Sequence, residues 1–239
     1  MIRRAGPFFL AALLVFGPPG VEAAEEFEFR SGDRTLRATL CKPDGAGPFP
    51  AVVYNHGSLT GRGEVGGIPG PTCHALAAAG FVGISPYRRR ERGNIRDQIL
   101  DTDSALNAVA ALPYVDSARI GVMGFSQGAM LSFIAAARNK IAKAVVVMAG
   151  GATPKGGAGD AARVDVPVMV LVASNDTGSP TTGGHNVVRE TQEMVDGLRA
   201  ANKNVIYTVY PAYPGDGHQM FAELGSYWTD VIAFFKTHL

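Results

Sequence analysis

This sequence has little net charge, only two cysteines, no low-complexity tract, no internal repeat and no apolar run of membrane-spanning length. Each absence removes a class of protein. With 22 basic and 21 acidic residues scattered along 239 positions, nothing draws the chain toward a phosphate backbone or an anionic bilayer, so nucleic acid is not an expected partner. Neither Cys41 nor Cys73 stands in a spacing that suits a metal site, and no metal is expected. The two are candidates for a disulfide in an oxidising compartment, or for two separate buried thiols. The N-terminal apolar run Phe8 to Phe16 has nine residues, well short of the roughly 20 needed to cross a bilayer. Stable membrane insertion of the mature chain is therefore not expected.

What that run does fit is a secretory signal. Arg3 and Arg4 precede it, Gly17, Pro18 and Pro19 break it, and Val21-Glu22-Ala23 offers small residues for cleavage. The expectation is a signal peptide over 1–23 and a mature domain over 24–239, periplasmic or secreted. Removing Arg3, Arg4 and Glu22 takes 22 basic and 21 acidic residues to 20 of each, a formally neutral protein. An apolar fraction of 46% is enough for one sizeable core.

From residue 51 onward, short apolar runs alternate with helical stretches. Ala51 to Tyr54, Phe81 to Ser85, Arg119 to Met123, Ala142 to Met148, Val166 to Ala173 and Val205 to Tyr210 are apolar on both faces, as buried parallel strands are. Phe27 to Arg30 and Thr35 to Leu40 alternate instead and suit an antiparallel edge. Ile95, Ile99, Leu106 and Val109 make one helical stripe, and Leu131, Ile134 and Ala135 another. The predicted fold class is α/β: a single domain with a mostly parallel central sheet and helices on both faces. Gly and Pro mark loops most heavily at 61–71 and 150–159, and too few residues separate Met148 from Val166 to hold an inserted lid domain.

The chemistry centres on Gly124-Phe125-Ser126-Gln127-Gly128, between a predicted strand and the helical run Ala129 to Arg138. A serine on so tight a turn is strained, and side chains two residues to either side would collide. The same turn aims the N–H of Gln127 at the place where an oxyanion would form. In the order nucleophile, acid, histidine, the base must follow Ser126. His218, in a turn-rich loop beyond the strand 205–210, is better placed than His185 or His238. The acid is assigned to Asp176, at the C-terminal end of the strand 166–173. Asp216 is the alternative and suits a loop-shaping role better, while Asp165 lies at the wrong end of its strand. The run Asn55-His56-Gly57-Ser58 is the natural source of the second oxyanion donor, assigned to the N–H of Ser58, with His56 as a packing or loop-orienting residue. Tyr54 has no role legible here. The run Tyr87-Arg88-Arg89-Arg90-Glu91-Arg92 follows a strand at the same rim. Arg88 and Arg89 are candidate clamps for an acidic substrate group, the competing reading being a solvated basic loop.

On these motifs, over residues 27–239, the sequence resembles the α/β-hydrolase superfamily and, more narrowly, the branch of dienelactone hydrolase-like enzymes and small carboxylesterases, with prolyl-oligopeptidase-type catalytic domains nearby. It departs from dienelactone hydrolases proper, which look for a cysteine where this chain has Ser126. The resemblance implies a hydrolase without cofactor, acting on small or medium carboxylic esters or lactones through an acyl-enzyme on Ser126. A peptidase or amidase of the prolyl-oligopeptidase type is one alternative, and a non-catalytic binding protein retaining the fold is another.

Overall fold

The computed structural model describes residues 24–58, 69–89, 95–151 and 160–239. The expected signal segment, most of the glycine-rich loops 61–71 and 150–159, and Arg90 to Arg92 lie outside them. Among the described residues, eight strands, labelled in chain order, form one sheet arranged β1-β2-β4-β3-β5-β6-β7-β8. β1 (Glu25–Ser31), β2 (Arg34–Cys41) and β4 (Val82–Pro86) pair antiparallel in turn. β3 (Phe49–Asn55), β5 (Val115–Phe125), β6 (Ala142–Met148), β7 (Val168–Ala173) and β8 (Val205–Tyr210) continue the sheet from β4 in parallel. The antiparallel edge and the parallel body are where the alternation and the two-faced apolar runs placed them.

Those runs are apolar on both faces because both faces are covered. Ala51, Val53, Val145 and Val147 pack beneath α2 (Ile95–Ala110), α3 (Gln127–Arg138) and α4 (Val187–Ala200). Their neighbours Val52, Tyr54, Val146 and Met148 pack with Leu76 of α1 (Pro69–Ala78) and with Val231, Phe234 and Phe235 of α5 (Tyr227–His238). The period of two along a strand thus divides one sequence between two cores. Helix α1 begins at Pro69, inside the stretch read as loop, where proline suits a first helical turn.

Cys41 at the end of β2 and Cys73 in α1 form a disulfide, with Cα atoms 5.5 Å apart. Of the two alternatives left open by the sequence, the structure takes the bond. Among the described residues, no helix is long and apolar enough to cross a membrane.

Candidate active site

β3, β5 and β7 point their C-terminal ends at one rim, and the site is assembled from the turns that follow them. β5 runs straight into Ser126, whose φ of 54° and ψ of −122° lie where L-residues are strained. The two flanking glycines are required by space. A Cβ on Gly124 would stand 2.3 Å from the backbone of Gly128, and one on Gly128 would stand 2.0 Å from the carbonyl oxygen of Asn55. The serine amide donates to the carbonyl of Met148 at 2.9 Å, fixing the turn to β6. Gln127 opens α3, so its N–H lies in the first turn and has no intrahelical acceptor.

Asp176 follows β7 and is buried, with 1% of its surface exposed. His218 lies in a 3-10 turn, Gly217–Phe221, beyond β8. Its Nδ1 is 2.8 Å from Asp176 Oδ2 and its Nε2 is 2.9 Å from Ser126 Oγ. With the proton on Nδ1 donated to the carboxylate, Nε2 is the acceptor that faces the serine hydroxyl. The ring is steadied from the side by Phe125, 5.0 Å away between centroids. Three residues chosen from widely separated motifs therefore form one continuous hydrogen-bonded chain.

The loop carrying His218 is held by Asn175 and Asp216. Asn175 donates to the carbonyls of Tyr213 and Gly215 and accepts from the amide of Tyr213. Asp216 accepts from the amide of His218 at 3.0 Å and from the hydroxyl of Ser179 at 2.9 Å, which is the loop-shaping role favoured for it. Partial burial raises its pKa, but hydrogen bonds from Thr181, the His218 amide and Ser179 outweigh that and leave it below the ordinary aspartate value. Asp165, before β7, is exposed and paired with Lys140 and Lys203. His238 packs on Phe234 at the end of α5.

At the end of β3, Ser58 reaches the same cleft as Gln127 and His218. The turn before it is supported from beneath. His56 is buried and its Nδ1 donates to the Gly57 carbonyl at 2.7 Å. Asn55 donates to the Ser132 hydroxyl at 2.9 Å, and that hydroxyl donates to the Gly128 carbonyl at 2.8 Å, so the Ser58 turn and the serine turn share one polar network.

Arg88 joins the same network. It is buried, donates to the His56 carbonyl at 2.6 Å and lies 3.4 Å from Asn55 Oδ1. Burial pushes its guanidinium down to about 10, with nearby Tyr54 and Asp101 opposing the shift. Arg89 pairs through Nε with the buried Asp101 at 2.9 Å and donates to the carbonyl and hydroxyl of Ser31. Arg88 and Arg89, read as candidate substrate clamps or as a solvated basic loop, are placed in neither position. Each guanidinium is turned inward onto protein acceptors, and neither lines the cleft. A row of arginines in sequence carries no sign of which way its side chains turn. Tyr54 is likewise buried, and burial raises its phenol far above the usual range.

The cleft holds about 420 Å³ and is lined by Ser58, Ser126, Gln127 and His218 together with Met130, Ala149, Val187 and a polar wall of Thr181, Thr182, His185 and Glu190. That size suits a small or medium substrate.

The pattern of the Dienelactone hydrolase family matches residues 87–239. A protein of Methylorubrum extorquens named "Putative carboxymethylenebutenolidase" is 25% identical over 226 residues, 84% of this chain and 73% of its own length. Among solved structures, one titled "Putative Dienelactone Hydrolase" from Klebsiella pneumoniae superposes with a TM-score of 0.69 at 20% identity, covering 91% of this chain and 99% of that one. An esterase of Pyrobaculum calidifontis gives 0.67 at 17% identity, covering 92% and 87%. The two structures share the α/β-hydrolase fold, and the family match covers more than half of the sequence. The chain is a hydrolase that belongs to the dienelactone hydrolase family.

Proposed function

We propose that the protein is an exported serine hydrolase of small or medium carboxylic esters or lactones, acting through Ser126, His218 and Asp176. The observation that carries the reading is the unbroken chain from Ser126 Oγ to His218 Nε2 and from Nδ1 to Asp176, at 2.9 and 2.8 Å. His218 takes the serine proton as Oγ attacks the ester carbonyl. Asp176 holds the tautomer and stabilises the imidazolium without taking the proton. The oxyanion of the tetrahedral intermediate accepts from the amides of Gln127 and Ser58. Collapse of the intermediate expels the alcohol, protonated by His218, and water then hydrolyses the acyl-enzyme by the same steps.

The Cys41–Cys73 bond supports export, since such bonds persist in oxidising compartments. The cleft volume supports a modest substrate. A fluorophosphonate should label wild-type protein at Ser126 and leave Ser126→Ala unlabelled. Turnover of nitrophenyl esters or lactones should fall by at least about 10³-fold in that variant. Turnover of aminoacyl anilides without esters would refute the esterase reading, and wild-type protein inert to both substrates and label would refute the catalytic one.

A further inference from the structure

The wall of the cleft carries a second hydrogen-bonded pair of a carboxylate and an imidazole. Glu190, in the first turn of α4, places Oε1 2.8 Å from Nδ1 of His185. Its side chain is only 15% exposed, whereas that of His185 is 69% exposed. Both line the same cleft as Ser126 and His218. This is a built arrangement and not a passing surface contact. The Thr182 hydroxyl donates to the His185 carbonyl or to that of Ser179. The Val188 amide donates to the carbonyl of Asp176. The Thr191 hydroxyl holds the carbonyl of Gly150 at 3.2 Å. The backbone of Gly151 leaves room for the carboxylate, because a Cβ there would stand 2.2 Å from Glu190 Oε2.

The proposed acyl transfer uses neither residue, so their contribution is to what the cleft accepts. With His185 neutral and its Nδ1–H donated to Glu190, the pair offers acceptors to the cleft: the second carboxylate oxygen and Nε2 of the ring. Its charge is −1 when His185 is neutral and zero when it is protonated. Among the described lining residues there is no lysine or arginine to offset it, since Arg88 and Arg89 face inward.

We propose that Glu190 and His185 form a specificity subsite that selects esters bearing a hydrogen-bond donor, a hydroxyl or an ammonium group, and discriminates against esters bearing a carboxylate. The inference rests on the serine hydrolase reading and adds to it the class of substrate. An acceptor-lined wall leaves an anionic group unpaired and desolvated, while an ammonium or hydroxyl group is received.

The test is a matched series of nitrophenyl esters of hexanoic, 6-hydroxyhexanoic, 6-aminohexanoic and adipic (mono) acids, and a second series with the same terminal groups on the alcohol side. The readout is the kcat/KM ratio of ammonium to carboxylate ester within each protein, which cancels any loss of folded enzyme. In one series or both, wild type should favour ammonium over carboxylate by about tenfold or more, and Glu190→Gln should move that ratio toward unity. Gly151→Ala, which displaces the carboxylate without touching its charge, should move it in the same direction. A wild-type preference for the carboxylate ester, or a ratio unchanged in Glu190→Gln in both series, overturns the subsite. Absence of Ser126-dependent turnover of plain hexanoate would instead overturn the hydrolase reading beneath it.

Discussion

On the proposed mechanism, the positive φ of Ser126 sets function against stability at a single residue. A strained non-glycine residue costs about 1–3 kcal/mol. Ser126→Gly should therefore raise the free energy of urea unfolding by about 1 kcal/mol or more while ester turnover disappears, and unchanged or lower stability would show that the strain is offset locally. Arg88 carries the opposite lesson, because it does not line the cleft and yet holds the carbonyl before the Ser58 turn. On the proposed mechanism it is a positioning residue. Arg88→Met should lower kcat by about 10- to 100-fold, less than the roughly 100- to 1000-fold cost of losing an oxyanion donor outright, with a smaller change in KM. An equal loss in the fraction of protein labelled by fluorophosphonate would indicate misfolding instead. The motif around Ser126 was legible because steric rules fix its glycines. The turning of Arg88 and Arg89 was not, because the acceptors that draw them in, His56, Asp101 and Ser31, lie 12 to 58 positions away.

At the scale of elements, the 3-10 turn that presents His218 is capped by Asp216. Asp216→Ala should cost about 1 kcal/mol of stability, as loss of a cap does, and should lower kcat by letting the imidazole wander. Since the folded-state pKa of Asp216 is depressed, its charge stabilises the native state above the unfolded pKa, and that contribution is lost as pH falls through the folded value. The stability gap between wild type and Asp216→Asn should accordingly be present near neutrality and close in acid, as measured by urea titration at several pH values. In the same core as Phe221 of that turn, α5 seats Phe235 fully buried against Gly121. Phe235→Ala should cost about 3–5 kcal/mol. Strand and helix order could be read from apolar runs because both sheet faces are covered. Boundaries slipped where that signal fades: β5 starts four residues before its apolar run, at Val115, and α1 starts among glycines and prolines.

For the molecule as a whole, the site draws on the turns after β3, β5, β7 and β8, strands that share one continuous sheet. No part of it can melt alone without separating these groups, so loss of activity in urea should coincide with loss of far-ultraviolet circular dichroism. An earlier loss of activity would reveal a softer rim. The disulfide closes a stretch of 32 residues, for which chain-entropy reasoning gives roughly 3–4 kcal/mol. Reduction should shift the urea midpoint downward accordingly. Sequence left that pairing open because the approach of β2 to α1 depends on the antiparallel insertion of β2 beside β4, which no local pattern encodes. The buried guanidinium behind the Ser58 turn has one more consequence. A receptor whose anion-binding amides are set during folding loses little freedom when occupied, so boronates and other tetrahedral mimics should associate quickly, with scant viscosity dependence and little heat-capacity change from loop ordering.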